Sequence, residues 1–148
     1  MPENDQLAAL LPASSITYAE RINMPYLGYH LLRETLTSTL LGDSESPILY
    51  WVGKNLGRNI PIRSAEGIIL PFVRLGLGQL DLLETSVGRI CYKLTHSIHS
   101  CMTEERLNRT LALECGVIAG AVERWQEKET AARLEMEGRE NVRIRVQF

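Results

Sequence analysis

Two imidazoles and a thiol stand close together in the segment HSIHSC, where His96, His99 and Cys101 form an HxxHxC pattern. Two ring nitrogens and a thiolate suit zinc, and three ligands would leave an open fourth position. No paired CxxC spacing accompanies them, so a polar connection with a half-buried cysteine is the better reading and no metal is expected. Cys91 alternates within a strand pattern and Cys115 falls on the apolar side of a helix, positions of small core residues rather than nucleophiles. No GxSxG elbow, Walker loop, HExxH or dinucleotide fingerprint occurs, and no cofactor is expected. The segment GKNLGR has glycine and lysine but not the Walker spacing, and it follows no strand.

Glu114 has the strongest claim to chemistry among the carboxylates, because it interrupts an otherwise apolar helix. A buried carboxylate must be paired or protonated, and Arg33 or Lys54 from the early helices could neutralise it. A structural ion pair is the favoured reading. The alternative makes Glu114 a polar anchor inside a ligand pocket, with His30 and Arg33 as its neighbours. Gly116 and Gly120 follow on the same helix, away from its N-terminus, which suits close helix packing rather than a phosphate nest.

These residues belong to a chain of 148 residues with 45% apolar and 23% charged content, enough for one core. A net charge of −2 excludes the overall basic footprint of a nucleic-acid binder. The N-terminus, MPENDQLAALLPASSITYAE, lacks a basic signal-like region, and no apolar run reaches the roughly 18 residues of a membrane span, so a cytoplasmic protein is expected. Three scattered cysteines suit a reducing compartment.

The elements that position the candidates follow from periodicity. Residues 1–24 lack sustained periodicity and read as a partly ordered arm. From Pro25, PYLGYHLLRETLTSTLLG reads as a helix closed by Gly42. Leu32, Leu36 and Leu40 with Tyr29 make one stripe; Leu27 and Leu31 make another, so protein contact on two sides is expected. After the short acidic loop GDSESP, SPILYWVGKNLGRNIPI places Ile48, Leu49, Val52, Gly53, Leu56 and Ile60 on a core face. Trp51 falls off that face, beside Lys54, Asn55 and Arg58, while Gly53 and Gly57 allow another backbone to come close. A shorter helix over SAEGIILPFVRLGLG, capped by Ser64, precedes a period-2 hairpin with its turn near Ser86 to Gly88. A polar connection, SIHSCMTEERLN, then leads to a central helix over TLALECGVIAGAVERWQE, apolar nearly all round. A second hairpin turns at Glu137 to Asn141, and the charged side chains from Glu123 onward read mostly as a solvated face.

The segments LLRETLTSTLLG, SPILYWVGKNLGRNIPI, LGLGQLDLL and LALECGVIAG resemble corresponding blocks of the bacterial YslB-like family, an uncharacterised cytoplasmic family, over most of residues 25 to 148. The Gly53/Gly57 pair and CGVIAG followed by a hairpin are more distantly similar to the 4-vinyl-reductase-type and TRAPP-subunit-like superfamily. That resemblance implies α/β domains that bind small or lipophilic ligands, or partner proteins, and often dimerise through helices. The ligand-associated cysteines of many 4-vinyl-reductase-type domains have no counterpart in KETAARLEMEGRENVRIRVQF, so metal or redox-ligand binding does not carry over.

The expected fold is a single α+β domain over residues 25–148, with a four-stranded, largely antiparallel sheet packed on helices. A non-catalytic protein-interaction or ligand-binding module acting as a homodimer ranks first. A sensor holding a lipophilic small molecule in an apolar cavity between the central and early helices ranks second, and an enzyme last, because no two titratable groups are seen to converge. Trp51 is exposed, covered by the first helix with Arg58 stacked on its ring, or buried in a self-complementary dimer, and exposure is disfavoured for so large an apolar group. In the dimer Lys54 and Arg58 form a polar rim, and Leu27 and Leu31 extend the contact.

Overall fold

The computed structural model describes residues 5–148. Its sheet has the order β1-β2-β4-β3, with β1 (Gln79–Ser86) and β2 (Arg89–Thr95) forming one hairpin and β3 (Ala131–Met136) and β4 (Val142–Gln147) the other. Every pairing is antiparallel, with Tyr92 opposite both Leu82 and Ile144. The turns fall at Val87–Gly88 and at residues 137–141, where the change from period 2 to turn residues placed them. Ile90, Tyr92, Leu94, Val142, Ile144 and Val146 point to the buried side, so one face of the sheet carries the core.

The helices are α1 (Ala13–Ala19), α2 (Tyr26–His30), α3 (Thr37–Leu41), α4 (Glu45–Gly57), α5 (Ile69–Arg74), α6 (Glu104–Thr110) and α7 (Ala112–Gln126). α7 lies on the sheet and is buried at every position from Glu114 to Val122, because α4 covers its other side. The two helices meet at backbone distance. A methyl group at Gly53 or Gly57 would strike the Leu113 or Val117 carbonyl, and one at Gly116 or Gly120 would strike the Tyr50 or Lys54 carbonyl. Four glycines, two per helix, thus remove the side chains that would otherwise hold the helices apart.

α2 runs through a π-helical segment, Leu31–Leu36, into α3, giving one rod from Tyr26 to Leu41 that Gly42 ends at positive φ. None of its residues is fully buried. Both stripes expected to touch protein instead face out: Leu27 is 76% exposed, and Leu31, Leu32, Leu36 and Leu40 are exposed as well. The protein side is polar, because the widened π turn directs the consecutive Arg33 and Glu34 onto partners on the body of the molecule. The α4 face differs from expectation too. Leu49, Gly53, Gly57 and Ile60 are buried, but Ile48 and Leu56 are 39% exposed. The glycine contact with α7, rather than the bulk of the isoleucine and leucine, decides which side of α4 turns inward.

The short helix expected from Ser64 is a 3-10 turn (Ala65–Ile68) followed by α5, and the Ser64 side chain makes no capping bond. Part of the expected polar connection is helical: α6 is capped by Thr103, whose side chain accepts from the Arg106 N–H. At the N-terminus, residues 5–24 include α1, with Leu7 and Ile16 buried and Arg74 paired to both Asp5 and Glu20; residues 1–4 of the expected arm lie outside the described part.

Candidate functional site

The sequence candidates separate into a polar cleft and a helical face. The cleft lies where α2 and the π segment cross the N-terminal end of α7. Arg33 Nη2 donates to both carboxylate oxygens of Glu114, at 2.8 Å to Oε2, and to the Thr110 carbonyl at 3.0 Å, while Nη1 donates to the Tyr29 hydroxyl at 3.1 Å. Glu114 is fully buried and Arg33 nearly so. Burial pushes the Glu114 carboxyl up from its ordinary value, against the pull of the Arg33 charge and its hydrogen bonds. Of the two bases expected to compete for Glu114, Arg33 takes it. Lys54 instead meets Glu123 at 2.9 Å.

All three histidines of the chain line this cleft. The rings run His30, Tyr26, His96, His99, with centroids 6.2, 5.2 and 5.8 Å apart in turn. His96 is spent on structure, since its Nδ1 accepts from the Ile98 N–H at 3.1 Å and caps the following 3-10 turn. Burial, and then the charges of His96 and Arg33, hold His99 down to about 4, so it is neutral at ordinary pH. Cys101 does not join the imidazoles; it is exposed, with Sγ 3.9 Å from the Ser100 hydroxyl. Among the described residues no three His, Cys, Asp or Glu side chains are arranged to hold a metal ion.

The space enclosed here is about 30 Å³. That suits one or two waters, and Arg33 Nε and the Thr110 hydroxyl, both buried without a protein partner, are the groups such waters would satisfy. Ligand pockets are roughly ten times larger and mostly apolar, so the expected apolar cavity between central and early helices is not formed here. Cys91 and Cys115 are buried, and desolvation raises both thiols; Cys115 lies in the core, whereas Cys91, expected there too, lies on the outer face of the sheet beneath charged side chains.

Sequence reasoning missed two clamps, one beside the cleft and one toward the other end of α7. Glu45, read as part of an acidic loop, is wholly buried, with Arg106 donating to it at 2.7 Å and to Glu34 at 2.7 Å. Glu123, assigned to a solvated face, receives Lys54 and Arg58 and accepts the Thr130 N–H at 3.1 Å. The Thr103 cap with two acidic residues behind it was the available signal for α6, and hence for where Arg106 points.

The helical face holds the remaining candidates. Trp51 is 65% exposed, so the first helix does not cover it. Arg58 does not stack on it; its guanidinium donates to Glu123 and, at 3.0 Å, to Asn55. Leu27, Leu31, Leu32, Leu36 and Leu40 on the rod and Ile48 and Trp51 on α4 are all exposed, and the rod's one arginine and one glutamate turn away from this side onto Glu114 and Arg106.

Comparison with known proteins agrees with this architecture. The uncharacterised protein YslB of Bacillus subtilis (strain 168) is 29% identical over 110 residues, 74% of each chain. A crystal structure of a vinyl-4-reductase family protein from Methanocaldococcus jannaschii superposes with a TM-score of 0.64 over 95% of this chain and 90% of that one. At 18% identity that likeness shows the fold alone. The DUF2507 family, described as proteins of unknown function, matches residues 26–147, and the chain belongs to that family.

Proposed function

We propose that the protein is a non-catalytic interaction module that acts as a homodimer through the rod of residues 26–41 and α4. The observation that carries this reading is the inverted rod: its two charged residues, Arg33 and Glu34, pair with the body of the protein and its leucines face outward. A helix of a free-standing domain buries its apolar stripe, so this one is built for a second surface. A second copy is the partner we favour, because a two-fold contact sets a surface against itself and a face without charges meets itself without repulsion. Trp51 supplies the large anchor such interfaces centre on. Lys54 and Arg58, held by Glu123 at the margin, form the polar rim.

The lack of catalysis rests on the chemistry of the cleft: its carboxylate is neutralised by Arg33, one histidine caps a turn, and another is held neutral by burial. The free cysteines suit a reducing, cytoplasmic setting. Sedimentation equilibrium of the wild type and of Trp51→Glu tests the reading. A wild-type dimer that becomes a folded monomer on substitution is expected. A wild type that is monomeric at high concentration, or a variant that stays dimeric with unchanged affinity, overturns it.

A further inference from the structure

The face of the sheet turned away from the helices has its own pattern. Register places Lys93 directly opposite Arg143, and Arg145 directly opposite Arg133, across the three strands β2, β4 and β3. With Arg89 these make five cations on the outer face, against three carboxylates: Glu135 on β3, directly opposite Arg143, and Asp81 and Glu84 on β1, directly opposite Lys93 and Cys91. Like charges directly opposed across a ladder destabilise it. Glu135 makes its ion pair with Arg145, at 2.5 Å, and its charge also faces Arg143 and Arg133; among the described residues no carboxylate comes within ion-pair distance of Arg89, Lys93, Arg133 or Arg143. Arg143 Nε is in addition buried with no acceptor. On this face a groove of about 230 Å³, which Arg143 does not itself line, is lined by Arg89, Arg133 and Arg145 together with Glu84 and Glu135, over the Cys91 position.

We propose that this outer sheet face is a binding site for a small soluble molecule bearing phosphate groups. Guanidinium forks match phosphate oxygens two at a time, and rows of outward side chains about 7 Å apart along a strand and about 5 Å apart across strands let one ligand meet several cations. A soluble ligand is favoured over an anionic membrane because the groove is concave and bordered by Glu84 and Glu135, which a flat anionic surface would press against. The site lies on the opposite side of the sheet from α7, so it stands or falls independently of the dimer.

Inorganic pyrophosphate is the probe. Calorimetric titration of the full chain at low salt should show saturable binding that weakens as salt rises. The triple variant Lys93→Gln, Arg133→Gln, Arg143→Gln should lose about tenfold or more in affinity at unchanged oligomeric state, since charge-assisted contacts are the strong ones. Amide shifts on the wild type give a readout that does not depend on the variant's folding; they should concentrate on β2, β3 and β4. Absence of heat and of shifts at millimolar pyrophosphate overturns the proposal. Equal affinity in the variant does so too, as does binding confined to phosphatidylglycerol vesicles.

Discussion

Glu114 and Arg33 show how one residue pair fixes the placement of a whole element. No apolar side chain of the rod of residues 26–41 is fully buried, so the Arg33–Glu114 pair and the Glu34–Arg106–Glu45 bridge hold it to the body. Replacing Glu114 with glutamine leaves a largely buried guanidinium without its counter-charge, and the expected loss is about 3 kcal/mol of folding stability. A lower urea midpoint at unchanged slope checks this; a near-neutral effect would mean that Arg33 regains water. Titration gives a second test at this scale. His99 is held down to about 4 from 6.5, so its contribution is present above about pH 6.5 and is lost as pH falls through 4. For Glu123, burial pushes the carboxyl up, but hydrogen bonds from Lys54, Arg58 and the Thr130 N–H hold it at about 2, so its contribution disappears between about 4.5 and 2. Stability should therefore decline in two acid limbs, and His99→Gln should flatten only the upper one. An unchanged upper limb in that variant would assign it to another group. The Arg33–Glu114 pair was legible because a lone carboxylate in an apolar helix demands a base. Glu45 was not, because in sequence it is one of several acids in a turn, and only the position of Arg106 in space makes it a buried anchor.

At the scale of elements, the contact between α4 and α7 depends on what is missing from both helices. Gly57→Ala gains up to about 1 kcal/mol of helix propensity. The new methyl group, however, meets the Val117 carbonyl and the Ala121 nitrogen, which belong to backbone and cannot rotate away. The net expectation is destabilisation by about 2 kcal/mol, within the range for overpacking. Gly28, in α2, has nothing within contact of an added methyl, so Gly28→Ala should instead raise the melting temperature. Opposite signs for the same substitution on two helices, read by thermal unfolding, are the check; equal signs would mean that α4 and α7 can move apart at small cost. Glycines one turn apart announced the close approach from sequence alone. They could not say which neighbouring side chains would follow them inward, and so Ile48 and Leu56 were assigned to a core they only border. The hairpins and their turns were legible, because strand alternation and turn residues are local signals whereas helix facing is a tertiary one, but the register shift between Leu82 and Glu84 was not.

For the molecule as a whole, the leucines of the rod explain why sequence reading succeeded on fold and failed on burial. Periodicity shows that Leu27, Leu31, Leu32, Leu36 and Leu40 lie on stripes, yet it carries no mark of whether the covering surface belongs to the same chain or to another. Within one chain these residues remain exposed, and their cover defines the quaternary prediction. A dimer through this face joins apolar groups, while the nearest charges are already neutralised internally: Arg33 by Glu114, Glu34 by Arg106, and Lys54 by Glu123. Screening therefore has little to act on. Raising salt from about 0.05 to about 1 M should leave the dimer dissociation constant the same or tighten it, whereas an interface of ion pairs would weaken as the Debye length shrinks from roughly 14 to 3 Å. Sedimentation equilibrium across that range, on the wild type and on Leu36→Glu, separates the possibilities. Salt-insensitive dimers abolished by Leu36→Glu are expected, and marked weakening of the wild-type dimer by salt would move the interface from the rod to a charged surface of the molecule.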